Sequence, residues 1–193
     1  MKIVFCIGYA NPQWNALTWQ EKGIGGSEYC VIKLSEQLAK HGHEVYVIGD
    51  VEAFDAKLVE KIRKAEDMTK DNKDLVLNIA ANYGGRWDIV NAAKQLATQV
   101  KSGELDVENI SEDALNAHIS TANLPELDLL IRTGGEHRIS NFLLWQCAYA
   151  ELYFTDVLWP DFNEDVFQLA VDDFNVRQRR FGLTGEQVVT ADG

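Results

Sequence analysis

The chain has 193 residues, with Asp+Glu 30 against Lys+Arg 18, so its formal charge is −12. Hydrophobic residues make up 46% and charged residues 25%, a composition that excludes wholesale disorder and is typical of a globular protein. Nucleic-acid binding needs clustered Lys and Arg, and a membrane span needs an apolar run of roughly 20 residues; the sequence offers neither. We therefore expect one domain over residues 1–193, with no nucleic-acid partner and no stable membrane insertion.

The cysteines indicate the compartment. Cys6, Cys30 and Cys147 are scattered and lack metal-ligand spacing, which favours a reducing cytoplasm over a disulfide framework. The apolar start of the chain is too short for the core of a secretion signal and is typical of a strand. The sequence thus predicts a cytoplasmic protein.

Short aliphatic runs closed by Gly, Asp or Asn predict buried strands. These runs are Lys2–Ile7, Glu44–Ile48, Leu75–Ala80, Leu127–Arg132 and Glu151–Phe154. The segments between and after them predict helices at Tyr29–His41, Ala56–Met68, Ile89–Val100, Glu112–Ile119, Asn141–Ala150 and Asp165–Arg180, followed by a polar tail over 183–193. Alternating strands and helices predict an α/β, three-layer fold: a mainly parallel sheet of about five strands with helices on both faces.

Ligands of such sheets bind at the carboxyl ends of the strands, so the loop that follows Arg132 is the first candidate site. Two glycines, Gly134 and Gly135, allow a tight turn, and Arg132 and Arg138 can converge on one anion with forked donors. Ser140 is a candidate N-cap for the helix predicted after it, whose start would attract phosphate. The segment predicts a phosphate or diphosphate cradle; the alternative is a structural loop with Arg132 in an ion pair and Ser140 only capping.

Two residues near this loop suit a metal ion. Glu151 begins the next strand and His137 lies in the loop itself. A carboxylate there is a candidate ligand for Mg²⁺, a hard cation that bridges diphosphates. The alternatives are a solvated histidine and a carboxylate without a metal.

A second loop follows the strand that ends at Ala80. Gly84 and Gly85 turn the chain, and Arg86 with the amides of Asn78 and Asn82 is placed to line the same rim. The alternative is a glycine turn in which Arg86 binds a neighbouring carboxylate.

Two long stretches make the sequence similar to a known family. The residues from Leu77 to Asp88, and those from Ile131 through Gln146 to Phe154, closely resemble the cis-prenyltransferases of the bacterial undecaprenyl diphosphate synthase type. The resemblance covers about residues 48–182. It implies condensation of isopentenyl diphosphate with an allylic diphosphate: the allylic diphosphate ionises, the isopentenyl double bond attacks, and a proton is lost.

The resemblance also implies roles for particular residues. Arg132, Arg138 and Ser140 would hold the diphosphate of isopentenyl diphosphate, and Glu151, with His137, would serve Mg²⁺. Arg180 and Gly182 match a terminal motif that reaches the partner subunit in a homodimer, and Leu152–Phe162 resembles part of the dimer contact. Asn78 and Arg86 complete the set of expected substrate-binding residues.

The first quarter of the chain departs from this family. A metal-binding Asp and a diphosphate-binding Arg are expected after the first strand, but residues 7–14 contain neither, and the helices that wall the hydrophobic tunnel have no counterpart. Residues 1–50, with Gly25-Gly26-Ser27-Glu28 before a predicted helix, resemble the first βαβ unit of a GT-B family-4 glycosyltransferase. We interpret the chain as a chimera of the two.

These features lead to three functional expectations. The first is a cis-prenyltransferase that is impaired or inactive because the Asp loop and the tunnel are missing. The second is a non-catalytic α/β scaffold that binds a diphosphate. The third, ranked last, is a glycosyltransferase fragment.

Overall fold

The structure, a computed structural model, describes residues 2–6, 43–73 and 75–177. Its backbone contacts group the chain into two compact units, residues 1–123 and 124–193, which are taken in turn. The helix predicted over Tyr29–His41 and the tail over 183–193 lie outside the described residues. The single-domain interpretation stays a prediction.

Three parallel strands form the sheet of the first unit. They are β1 (Lys2–Cys6), β2 (Glu44–Ile48) and β3 (Val76–Ala80), in the order β1-β3-β2. Lys2 and Glu44 both pair with Val76, and Cys6 and Ile48 both pair with Ala80. All three strands therefore run in one direction and end together, as the predicted parallel sheet requires.

The central strand β3 is buried on both of its faces. Leu77 and Ile79 point to one face, and Asn78 and Ala80, which are equally buried, point to the other, since successive side chains of a strand alternate. On the first face, Leu77 and Ile79 join Val45, Val47 and Ile62 in one apolar cluster. Burial of four consecutive residues explains why this strand is a continuous apolar run with a single polar residue.

Helix α1 (Ala56–Thr69) supplies Ile62 to that cluster. It begins at Asp55, whose carboxylate accepts hydrogen bonds from the backbone N–H groups of Lys57 and Leu58 at 3.0 and 3.1 Å. This cap satisfies two donors at the start of the helix that have no partner within it.

The outer edge of β2 is closed by side chains of α1. Thr69 Oγ1 accepts from the N–H of Val45 at 3.1 Å, and Glu66 Oε1 accepts from the N–H of Val47 at 3.0 Å. An edge strand with unpaired N–H groups is a template for another strand. These two contacts satisfy backbone N–H donors of β2 that could otherwise form hydrogen bonds with another strand.

Helix α2 (Gly85–Ser102) follows β3, and the short helix α3 (Glu112–Asn116) follows α2. Asp88, Ala92 and Leu96 are buried and lie four residues apart on one face of α2. The helix ends at Gly103, which takes the left-handed conformation with φ 79°. It starts four residues earlier than the periodicity predicts because glycine carries no apolar signal.

The second unit has two parallel strands and one long helix. Strand β4 (Leu129–Arg132) pairs with β5 (Glu151–Phe154), and α4 (Glu164–Val176) begins at Asn163, whose side chain accepts from the N–H of Val166. Parallel pairing throughout confirms the predicted α/β class. No helix among the described residues is both long enough and apolar enough to cross a membrane.

The prediction of a helix over Asn141–Ala150 is wrong. The segment forms turns and one short 3-10 helix, Gln146–Ala148. Ser140, Asn141 and Leu143 have φ values of 48°, 65° and 46°, a left-handed conformation that a right-handed helix of L-residues cannot contain. The apolar composition is still explained, because Leu143 is buried; an apolar run indicates burial without fixing the backbone.

The loops after β2 and β3 approach each other at Gly49. The N–H of Ala81 donates to the carbonyl of Ile48 at 2.9 Å, and the N–H of Asp50 donates to the carbonyl of Asn82 at 3.2 Å. Gly49 has φ 121°, and a Cβ added there would lie 2.1 Å from the carbonyl oxygen of Ala81. Glycine is required both by the backbone conformation and by the contact.

We predict that Gly49→Ala lowers the free energy of unfolding by about 3 kcal/mol or more, measured by urea denaturation, because strain and collision act together. Gly103→Ala is the matched control: φ is also positive, 79°, but a Cβ there meets nothing within 4 Å. It should cost only about 1–2 kcal/mol. Equal losses in the two variants would contradict the close approach.

Candidate functional site

The candidate site in the second unit is the loop between β4 and β5. Its start is fixed by backbone hydrogen bonds that continue the parallel pairing: Thr155 N–H to the Arg132 carbonyl at 3.0 Å, Gly135 N–H to the Thr155 carbonyl at 3.0 Å, and Gly134 N–H to the Val157 carbonyl at 2.9 Å. Gly134 and Gly135 have φ 84° and 72°. The two glycines thus turn the chain in the way the sequence predicts.

Arg132 and Ser140 are brought together in this loop. Arg132 Nη1 donates to Ser140 Oγ at 2.7 Å and to the carbonyl oxygen of Arg138. Across the described part of the chain, its Nε and Nη2 donors have no hydrogen-bond partner. One end of the guanidinium is therefore anchored by the loop, and the other end keeps donors suited to an anion.

Arg138 has a different partner. Its guanidinium forms an ion pair with the carboxylate of Glu136, and the two side chains are 65% and 44% exposed. Arg132 contacts the main chain of Arg138 rather than its side chain. The loop therefore holds both arginines, but each through its own acceptor.

Ser140 does not cap a helix, contrary to the sequence prediction. No helix begins at this position, and Ser140 itself has φ 48°. Its hydroxyl accepts from Arg132 instead. The attraction of a helix start for phosphate is consequently missing from this loop, and the guanidinium groups supply the positive charge.

The strand direction separates the two residues expected at Mg²⁺. Glu151 opens β5 opposite Leu129, whereas Arg132 lies opposite Phe154 at the far end. The ring of His137 packs on Phe154, with centroids 5.3 Å apart. The two ends of the strand are three residue steps, about 10 Å, apart. Among the described residues, Glu151 pairs with Arg177 and the His137 ring packs on Phe154, and a Mg²⁺ site formed by Glu151 and His137 stays a prediction.

Glu151 is also bound to another residue. Arg177 Nη1 donates to Glu151 Oε2 at 2.8 Å and to the carbonyl of Leu152 at 3.0 Å, and Arg177 Nη2 lies 2.5 Å from Asp173 Oδ2. The hydrogen bond to Glu151, followed by that to Asp173, raises the pKa of Arg177. Arg177 thereby ties the end of α4 to the start of β5. Within residues 43–73 and 75–177 there is no group of three His, Cys, Asp or Glu that fits a metal ion.

The loop after β3 belongs to the first unit. Asn78 is 2% exposed, and its Nδ2 has no hydrogen-bond partner among the described residues. Arg86 is exposed in the first turn of α2. The two residues predicted to share a rim thus differ in burial, one within the sheet and the other at the surface.

Asp88 is the residue of this loop that sequence reasoning missed. Its carboxylate is buried and accepts from the Tyr83 hydroxyl at 2.8 Å and from the N–H and hydroxyl of Ser120 at 2.9 and 2.6 Å. A buried carboxylate needs such partners. The available signal was its spacing of four from Ala92 and of eight from Leu96, which places an acid on an apolar helix face.

Other predicted site residues are not described by the structure. Arg180 and Gly182 lie outside the described residues, as do the glycine-rich turn before Tyr29 and residues 7–14.

Comparison with known proteins identifies the family. The family model Prenyltransf, described as "Putative undecaprenyl diphosphate synthase", matches residues 26–182. The chain belongs to this family. Its resemblance over residues 48–182 is thereby confirmed and extends further towards the amino terminus.

Two curated relatives carry the same name, ditrans,polycis-undecaprenyl-diphosphate synthase ((2E,6E)-farnesyl-diphosphate specific). The protein of Buchnera aphidicola subsp. Acyrthosiphon pisum is 49% identical over 185 residues, covering 94% of this chain and 73% of the relative. That of Yersinia pseudotuberculosis is 57% identical over 149 residues, covering 77% of this chain and 59% of the relative. The chain thus spans less than two thirds of the second.

A solved structure supports the fold. Lavandulyl diphosphate synthase from Lavandula x intermedia, crystallised with dimethylallyl diphosphate, superposes with a TM-score of 0.75 at 36% identity. The match covers 80% of this chain and 67% of that protein. The α/β fold with parallel strands is that of this family.

The interpretation as a chimera with a glycosyltransferase piece finds no support. The family model begins at residue 26, within the supposed foreign segment, and the Buchnera alignment covers 94% of the chain. The glycine-rich turn before a helix is a weak signal because many βα units use one. Both the family model and the Buchnera alignment extend into residues 1–50.

Cys147 yields a prediction about this loop. Burial raises the pKa of its thiol from 9.0 to about 11, and its Sγ lies 3.9 Å from the Phe142 carbonyl. In a Cys6→Ser/Cys30→Ser background, we expect iodoacetamide at pH 8 to modify Cys147 much more slowly in the folded than in the urea-unfolded chain, because the thiolate is the reactive form.

The same shift sets the direction of a pH effect. Because folding raises the pKa of the Cys147 thiol, the unfolded chain releases this proton at a lower pH than the folded chain does. The contribution of the protonated thiol to the free energy of unfolding is therefore complete below pH 9 and is lost as the pH rises towards 11. A Cys147→Ser variant should lack this loss. Modification of Cys147 at the unfolded rate would contradict its burial.

Proposed function

We propose that the chain is a cis-prenyltransferase-family protein that binds the diphosphate of isopentenyl diphosphate, or of a similar ligand, in the loop between β4 and β5. The observation that carries the proposal is the anchoring of Arg132 by Ser140 and by the Arg138 carbonyl. A guanidinium held in place loses little freedom when an anion binds, and its forked donors match phosphate oxygens. Arg138 adds a second positive charge from the same loop.

We further propose that synthesis of a long prenyl chain is impaired. Residues 7–14 lack the Asp and Arg that the family resemblance implies for the metal and the allylic diphosphate. Glu151 is paired with Arg177 at the other end of β5 from the binding loop. Mg²⁺ at Glu151 and His137 stays a prediction, and the proposal gives the loop residues binding and orientation of a diphosphate as their role.

A homodimer and a cytoplasmic location complete the proposal. Leu158 and Trp159 are 60% and 58% exposed in the segment that resembles the dimer contact, and the rings of Trp159 and Phe162 stack with centroids 6.0 Å apart. Such apolar surface favours a protein partner. The scattered cysteines favour the cytoplasm.

Binding is tested by calorimetry with inorganic diphosphate and with isopentenyl diphosphate. We expect Arg132→Ala and Arg138→Ala each to weaken binding by about tenfold or more, since hydrogen bonds to charged groups contribute roughly 1.5–3 kcal/mol. Arg63→Ala is the control, because Arg63 is an exposed arginine of the first unit that is paired with Glu52 and Glu66. If neither loop variant changes the affinity, the loop is not the binding site.

Turnover is tested with radiolabelled isopentenyl diphosphate and an allylic diphosphate. We expect no long-chain lipid product from this chain under conditions in which the Yersinia relative, assayed in parallel, produces it. Label in a long prenyl diphosphate would show that the departures in residues 7–14 do not impair synthesis.

A further inference from the structure

We propose that the Glu136 carboxylate is an internal competitor for the bound diphosphate: it occupies the Arg138 guanidinium, lowers the affinity of the loop and speeds release of the ligand. This inference rests on the proposed function and concerns the regulation of the same site. It assigns to Glu136 a role that neither the family resemblance nor the comparisons give to it.

The two arginines of the loop have unequal partners. Arg132 Nη1 donates to a hydroxyl and to a carbonyl, which are neutral acceptors, so its full positive charge remains. Arg138 faces a carboxylate that cancels its charge. The site at rest therefore has one arginine ready for an anion and one that is occupied.

The backbone of the loop keeps the Glu136 carboxylate next to the Arg138 guanidinium. Glu136 follows Gly135 directly, and Gly135 is fixed to the Thr155 carbonyl by a hydrogen bond of 3.0 Å. The backbone that carries Glu136 is thus held against the loop after β5, while Glu136 and Arg138 are only two positions apart. A carboxylate on a fixed backbone has a high effective concentration at its neighbour and rebinds as soon as an external anion leaves.

The pair is weak enough to be displaced. Both side chains are substantially exposed, 65% and 44%, and exposed ion pairs contribute little to stability. A diphosphate carries more charge than one carboxylate and can also reach Arg132. It displaces Glu136, but at reduced affinity, and Glu136 returns to Arg138 when the ligand departs.

The test is a double-mutant cycle in the full chain, with inorganic diphosphate as the probe in calorimetry and in stopped-flow dissociation. Glu136→Gln should tighten binding about two- to fivefold, the range expected for an exposed ion pair, mainly through slower dissociation. In an Arg138→Gln background the same substitution should change the affinity far less, because the competition no longer exists.

Asp156→Asn is the matched control. The Asp156 carboxylate lies beside the same turn, 3.1 Å from the position of a Cβ on Gly135, so its removal changes the local charge equally. Within the described residues it forms no ion pair with an arginine. Any effect of Asp156→Asn should therefore persist in the Arg138→Gln background, whereas that of Glu136→Gln should largely vanish.

The outcomes separate the two proposals. Weaker but measurable binding in Arg138→Gln, with tightening by Glu136→Gln only when Arg138 is present, supports the inference. If Arg138→Gln weakens binding but Glu136→Gln does not tighten it, or tightens it equally in both backgrounds, the competitor role is overturned while the binding loop stands. If the wild-type chain does not bind diphosphate, both are overturned.

Discussion

Parallel pairing of β4 with β5 is the constraint on which the second unit depends. Because both strands run in one direction, the residues that follow Arg132 meet those that follow Phe154, and the backbone bonds from Gly134 and Gly135 extend the pairing beyond the strands. The same direction places Glu151 at the opposite end. A single topological fact thus decides which polar residues share an edge and which are kept apart.

The first unit follows the same rule. Strands β2 and β3 end in register, so the loops that begin at Gly49 and Ala81 leave the sheet side by side and are linked by main-chain hydrogen bonds. The approach is close enough that residue 49 has no room for a side chain. In both units, glycines at the carboxyl edge allow backbone contacts that a Cβ would obstruct or strain.

Much of this architecture could be predicted from the sequence. The strands were found because β-branched runs closed by Gly, Asp or Asn leave few alternatives, and α1 was found because its apolar residues recur at helical spacing. The helix prediction for residues 141–150 is wrong for an identifiable reason. An apolar composition indicates burial, whereas the left-handed backbone conformation of Asn141 and Leu143 cannot be detected in a hydrophobic pattern.

The polar contacts of the site were less accessible to sequence reasoning. Arg132 and Ser140 could be placed together because both lie in one short loop, but the pairing of Arg138 with Glu136, of Glu151 with Arg177 and of Asp88 with Ser120 could not be derived from spacing. The last two pairs join residues distant in the chain, and only the fold brings them together. In the first, an acid and an arginine two positions apart in an irregular loop have no fixed geometry until the backbone is known.

Charge gives this arrangement its physical meaning. The chain has a formal charge of −12, so its overall field opposes an approaching diphosphate, and attraction must come from the guanidinium groups of this loop. Leaving two such groups unpaired in one loop costs free energy through their mutual repulsion. Anchoring Arg132 on neutral acceptors keeps its charge for a ligand, while neutralising Arg138 with Glu136 removes the repulsion when no ligand is present. That neutralisation lowers the affinity of the loop for a diphosphate, and the bound ligand therefore exchanges readily.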